Sequence, residues 1–228
     1  MTGDDNGFCR AGEGGRKSIL VNPGNRFMVG TKQPYFPLPP GQQGGRRRGT
    51  GEEEEGNLTV QAASNWGGME AGGGMFYPVQ VIDGLVTLYG GKDLAAAREE
   101  KPVVCASTGI KCPAGSAVWT HAGGLSDRFS YIVHTSPPRW DECTDDAARS
   151  SAVETLKKCY ASSLSESSSL CPGEEHLVVA MPLLGAGCNK IPKETALDAA
   201  RSSISQWMDV AESSCATIDV YICLRHTF

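Results

Sequence analysis

The sequence predicts an α/β fold, a mixed or mostly parallel sheet covered by helices. Two observations predict it. From residue 101 onward, short apolar runs bounded by Pro and Gly alternate with longer segments whose apolar residues recur at helical period. Glycine-rich loops fall between these segments, where open sheets of this kind bind ligands at the carboxyl ends of their strands.

The first sixteen residues are polar and glycine-rich and read as a flexible segment. The domain then runs over 17–228, opening with Lys17 to Asn22 (KSILVN), a short buried strand ended by the turn Pro23-Gly24-Asn25. Residues 31–56 hold a proline cluster (PYFPLPPG), the triplet Arg46 to Arg48 and the run Glu52 to Glu55. Without core periodicity, they read as a disordered insertion. A second glycine-rich stretch, residues 67–74, feeds an apolar segment from Met75 to Tyr89 that reads as a helix ending at Gly90-Gly91.

Lys101 to Ser107 (KPVVCAS) and Ala117 to His121 (AVWTH) read as strands joined by the turn Cys112-Pro113-Ala114-Gly115. Ser130 to Thr135 reads as a central strand stopped by Pro137-Pro138. Between 147 and 164, Ala152, Val153, Leu156, Cys159, Tyr160 and Leu164 share one helical face. A strand over Glu175 to Met181, a loop from Pro182 to Ile191, a helix with Pro192 at its first position and a final strand over Thr217 to Leu224 complete the order.

Composition limits what the chain can do. At 228 residues and 40% apolar content, it supports one sizeable core rather than two. The formal charge of −5 gives no global attraction to nucleic acid or anionic membrane, so any anion must be held locally. No apolar run approaches the ~20 residues of a bilayer span and no signal peptide is evident, so an intracellular, soluble protein without membrane or DNA partners is expected. Nine cysteines with no C-x-x-C pair, and four scattered histidines, read as free thiols and structural imidazoles; neither a metal nor a cofactor is expected. Cys112 or Cys188 as a nucleophile with His134 as its base is a weaker reading than core or loop residues.

Four segments resemble the macrodomain family. Ser18 to Asn25 (SILVNPGN) resembles its first-pocket strand with an asparagine pair, and Gly72-Gly73-Gly74 its phosphate-side glycine loop. Cys112 to Ala117 followed by Tyr131 to Thr135 resembles its paired strands, and Pro182 to Pro192 (PLLGAGCNKIP) its second diphosphate loop. The resemblance implies a three-layer α/β/α fold with a mixed sheet and a site for ADP-ribose or ADP-ribosylated protein. Glycines suit such a site because they let backbone N–H groups approach a pyrophosphate, and a following helix directs its positive end at the same anion.

On that resemblance, Asn25 would bond the distal ribose, Asn22 would hold the loop in shape, and Gly72, Gly73, Gly74, Gly185, Ala186, Gly187, Cys188 and Asn189 would line the diphosphate. As residues alone, both asparagines equally suit the turn beside Pro23-Gly24. Val60 to Asn65 also resembles the asparagine motif, and Asn65 would replace Asn25 if residues 1–56 were disordered. Ile82 to Val86 (IDGLV) resembles the step carrying the aspartate that orients water in hydrolytic relatives, which would make Asp83 catalytic; an ordinary helix cap is the other reading. Asp4 and Asp5 are candidates for the adenine contact. Asn189 stands where many relatives carry an aromatic residue, and Lys190 where many carry glycine. A binding module, an ADP-ribosyl hydrolase and a scaffold that has lost its ligand all remain open, because fold alone does not choose.

Overall fold

The computed structural model describes residues 16–30, 82–171, 176–211 and 217–224. Of the flexible segment expected over 1–16, residues 1–15 lie outside the described residues and Arg16 opens the first strand; the expected insertion (31–56) and the loop and helix start over 67–81 also lie outside them. Asp4, Asp5, Asn65 and Gly72 to Gly74 lie outside them as well.

Five strands form one sheet: β1 (Arg16–Pro23), β2 (Ala117–His121), β3 (Tyr131–Thr135), β4 (His176–Pro182) and β5 (Ile218–Cys223), in the order β2-β3-β1-β4-β5. Among the described strands only the β2/β3 pair is antiparallel. The sheet is therefore mixed, as the alternation of strand and helix segments predicts. β3 is flanked on both sides, but the middle place belongs to β1.

Strand period two decides what each face buries. Ile19 and Val21 of β1, Val133 of β3 and Leu177, Val179 and Met181 of β4 enter the larger core with Leu156, Cys159, Tyr160 and Leu164 of helix α2 (Asp146–Ser169) and Ala196, Ala199 and Ala200 of helix α3 (Lys193–Ala211). The opposite face of the sheet packs Leu20 and Ile132 against Val86 and Leu94 of helix α1 (Ile82–Glu99). Helices thus cover both faces. Each large apolar side chain so buried contributes roughly 1.5–3 kcal/mol relative to exposure.

The helix signals hold with adjusted ends. α2 buries five of the six residues assigned to its apolar face, with Val153 half-exposed; Asp145 caps it, accepting from the Ala148 N–H at 2.7 Å. Pro192 stands one residue before α3 rather than in it, and its carbonyl accepts from the Ala196 N–H at 2.9 Å.

Two expectations need correction. Residues 101–107 are not a strand: the segment runs through turns with a single bridge between Cys105 and Ile110, and Val103 and Val104 are exposed. Its apolar run finds no sheet edge to join. Nor does α1 end at Gly90-Gly91. It continues to Glu99 across a sharp break at Gly91, whose φ of 62° is a left-handed conformation open to glycine at no steric cost.

Candidate functional site

The parallel strands β1, β3, β4 and β5 end together, so the segments 24–30, 136–145 and 183–192 share the carboxyl edge of the sheet. The Gly24 N–H donates to the Thr135 carbonyl at 2.9 Å, tying the first of these loops to the end of β3.

Under this edge lies a buried polar network on the α1 face. Strand register sets Asn22 beside His134. Asn22 Nδ2 donates to Asp83 Oδ1 at 2.7 Å and to His134 Nδ1 at 3.1 Å. With Nδ1 accepting, the imidazole carries its proton on Nε2, which faces Thr120 Oγ1 at 2.8 Å. Burial, with Arg98 and Lys101 nearby, pushes the His134 pKa well below its ordinary value, so the ring is neutral at physiological pH. Arg98 closes the network, with Nη2 3.1 Å from Asp83 Oδ1 and Nη1 donating to Thr87 Oγ1 at 2.8 Å. Among the described residues, Asn22 Oδ1 is buried with no hydrogen-bond partner.

Asp83 therefore sits in the first turn of α1, 6% exposed, with one carboxylate oxygen shared between an amide and a guanidinium. Asn22, expected to shape the loop, touches Asp83 and His134. Asn25, expected at the ribose, accepts through Oδ1 from the N–H groups of Phe27 (3.0 Å) and Val29 (3.3 Å), and its Nδ2 donates to the Val29 carbonyl at 2.7 Å.

The β4–α3 loop carries the remaining site residues. Leu184 N–H donates to the buried Tyr160 hydroxyl at 2.8 Å, and Ile191 N–H to the Gly185 carbonyl at 3.0 Å, which closes the loop on itself. Gly185 has φ 78°, and a Cβ there would press on Ile191. Gly187 is exposed, with open space where a side chain would stand. Ala186, Cys188 and Asn189 are half-buried, and Asn189 Nδ2 donates to the Pro137 carbonyl at 2.9 Å. The loop leads into the N-terminus of α3, where unpaired N–H groups and the helix dipole favour an anion.

Cys112 offers no comparable arrangement. Burial pushes the Cys112 pKa up to about 12, and its Sγ points to the Ser116 carbonyl at 3.5 Å and the His134 carbonyl at 3.7 Å, not to an imidazole nitrogen. Among the described residues no group of three His, Cys, Asp or Glu is placed to hold a metal ion, and no described helix is long and apolar enough to cross a membrane.

The macro domain family model matches residues 78–200, more than half of the chain. The chain belongs to the macro domain family. Solved macrodomains share its fold. The Oceanobacillus iheyensis macrodomain with MES bound aligns with a TM-score of 0.55 at 17% identity, covering 90% of this chain and 76% of that one. A mutant of the same macrodomain with ADPR aligns at 0.54 and 17% identity, covering 94% and 82%. A Trypanosoma brucei macrodomain in complex with ADP aligns at 0.50 and 13% identity, covering 92% and 63%. At these identities the likeness concerns the fold alone. No curated protein matches the chain.

Sequence reasoning did not assign Arg98, Thr87 or Thr120 to this macrodomain's site, and treated His134 as structural. Arg98, and with it the Thr87 contact, depends on the helix continuing past the glycine pair at which it was expected to stop; the Thr120 and His134 contacts depend on strand register. Helical periodicity of Leu94 and Arg98 beyond Gly91 was the available signal for the first.

Proposed function

We propose that this macrodomain is a binding module for ADP-ribose or ADP-ribosylated protein. The observation that carries the reading is the β4–α3 loop. It is glycine-bearing, closed on itself by backbone bonds, open at Gly187 and continuous with the N-terminus of α3. Backbone N–H groups of residues 185–189 would meet the diphosphate, and the helix end would add its partial positive charge, which suits an anion in a chain of formal charge −5. That the chain is a macrodomain raises this ligand above other diphosphates.

Binding is favoured over hydrolysis of the ADP-ribosyl bond by the state of Asp83. A general base needs a carboxylate oxygen within reach of the attacking water. Asp83 is buried, with Oδ1 engaged by Asn22 and Arg98.

Calorimetric titration with ADP-ribose, with AMP in comparison, tests the reading. Selective heat with ADP-ribose supports a binding module. No heat at millimolar ligand from demonstrably folded protein leaves a scaffold. Turnover of an ADP-ribosylated protein by the wild type, lost in Asp83→Asn, would replace the reader with an enzyme.

A further inference from the structure

We propose that Lys190 and Asp141 are positioning residues for the diphosphate loop: their ion pair locks the β3–α2 and β4–α3 loops into one unit, and ADP-ribose affinity depends on that lock. The inference rests on the binding function proposed above.

Lys190 Nζ lies 2.9 Å from Asp141 Oδ2, across the gap between the two loops. Asp141 is held from its own side by Arg139, whose Nε and Nη2 donate to its two oxygens at 2.9 Å and 2.6 Å in a fork. Backbone bonds flank the pair: the Trp140 N–H donates to the Asn189 carbonyl at 2.8 Å, and Asn189 Nδ2 to the Pro137 carbonyl at 2.9 Å. Pro137, Trp140 and Asp141 of one loop are thus tied to Asn189 and Lys190 of the other.

The backbone gives a second reason. Lys190 has φ 58°, a left-handed conformation that costs a non-glycine residue roughly 1 kcal/mol or more. Glycine would adopt it without strain. Lysine here trades that ease for an ammonium that reaches Asp141. The guanidinium of Arg139 and then the Lys190 ammonium hold the Asp141 carboxyl well below the usual carboxylate range, so the pair stays charged throughout neutral pH.

With Lys190 about a third exposed and Asp141 about a quarter, such a pair adds little to global stability. Its effect is local, on the loop that presents residues 185–189. A positioning role is therefore separable from a structural one: affinity and loop exchange should change while the melting temperature does not.

Four proteins decide the matter: wild type, Lys190→Gly, Asp141→Asn and Lys190→Arg. Lys190→Gly relieves the backbone and removes the ammonium, whereas Lys190→Arg keeps the charge. The expected result is an ADP-ribose affinity lowered by about tenfold in Lys190→Gly and Asp141→Asn and retained in Lys190→Arg. Amide exchange at Trp140 and Ile191 should quicken in the same two variants without ligand. Faster exchange with unchanged affinity in a wild type that binds overturns the positioning role. Unchanged exchange overturns the lock itself. Failure of the wild type to bind ADP-ribose overturns the functional reading, and with it the claim on affinity, while exchange still reports the lock.

Discussion

Arg98 and Asp83 meet at 3.1 Å although fifteen residues separate them within α1, both almost fully buried. A straight helix would set them about 22 Å apart. The break at Gly91 folds the second half of α1 back on the first, and the ion pair joins the two halves. Lys111 secures the far end, its Nζ donating to the carbonyls of Arg98 (3.1 Å) and Glu99 (2.7 Å).

Removing one member of this pair leaves the other charge buried. Arg98→Met is expected to destabilise the fold by roughly 3–5 kcal/mol, read by urea denaturation. Asp83→Ala should cost about as much, so loss of ligand binding in that variant alone would not identify a catalytic carboxylate. A loss under 1 kcal/mol in Arg98→Met would mean that the pair does not hold the helix halves together.

Gly123 should tolerate no side chain. It has φ 57° beside α1, and a Cβ would stand 2.6 Å from the Gly90 carbonyl oxygen and 2.7 Å from the Leu94 nitrogen. Both neighbours are backbone, unable to rotate away. Gly123→Ala should cost at least about 2 kcal/mol from strain and overpacking. Gly187→Ala meets open space and should leave stability within about 1 kcal/mol; equal losses in the two would refute the contrast.

The sheet was legible because its inner strands are apolar runs stopped by Pro or Gly: β1 by Pro23-Gly24, β3 by Pro137-Pro138, β4 by Pro182. The same rule misread residues 101–107, since Val103 and Val104 satisfy the pattern while lying exposed; local sequence does not state whether an edge awaits them. The β4–α3 loop was legible as glycines between a strand and a helix. The polar network was not. Thr120, His134 and Asn22 come from three strands, and their contacts follow from register that no single segment encodes.

His134 should make stability fall as pH drops below about 6.5. Its folded pKa lies well below the ordinary value because of burial and the nearby Arg98 and Lys101 charges. The unfolded chain then takes up a proton that the native state refuses, so stability is full above the unfolded pKa and declines by up to about 1.4 kcal/mol per pH unit beneath it. Urea denaturation between pH 7.5 and 5.5 measures the slope. His134→Gln, though less stable throughout, should show a flatter profile over this window; an equal slope would place its origin elsewhere.

Tyr160 connects the larger core to the candidate site. Its ring is fully buried in α2, burial raises its hydroxyl pKa, and that hydroxyl accepts from the Leu184 N–H at 2.8 Å at the start of the β4–α3 loop. Tyr160→Phe keeps the packing and leaves a buried N–H without its acceptor, so roughly 1–3 kcal/mol of stability should be lost. Because the loss falls at the root of the loop, ADP-ribose affinity should weaken as well, and amide exchange at Leu184 should quicken before the rest of the sheet opens. Lys190→Gly should loosen the opposite end of the same loop with little loss of stability. If Tyr160→Phe lowers stability while leaving both affinity and local exchange unchanged, the hydroxyl serves the core alone and the loop keeps its shape through its own backbone bonds.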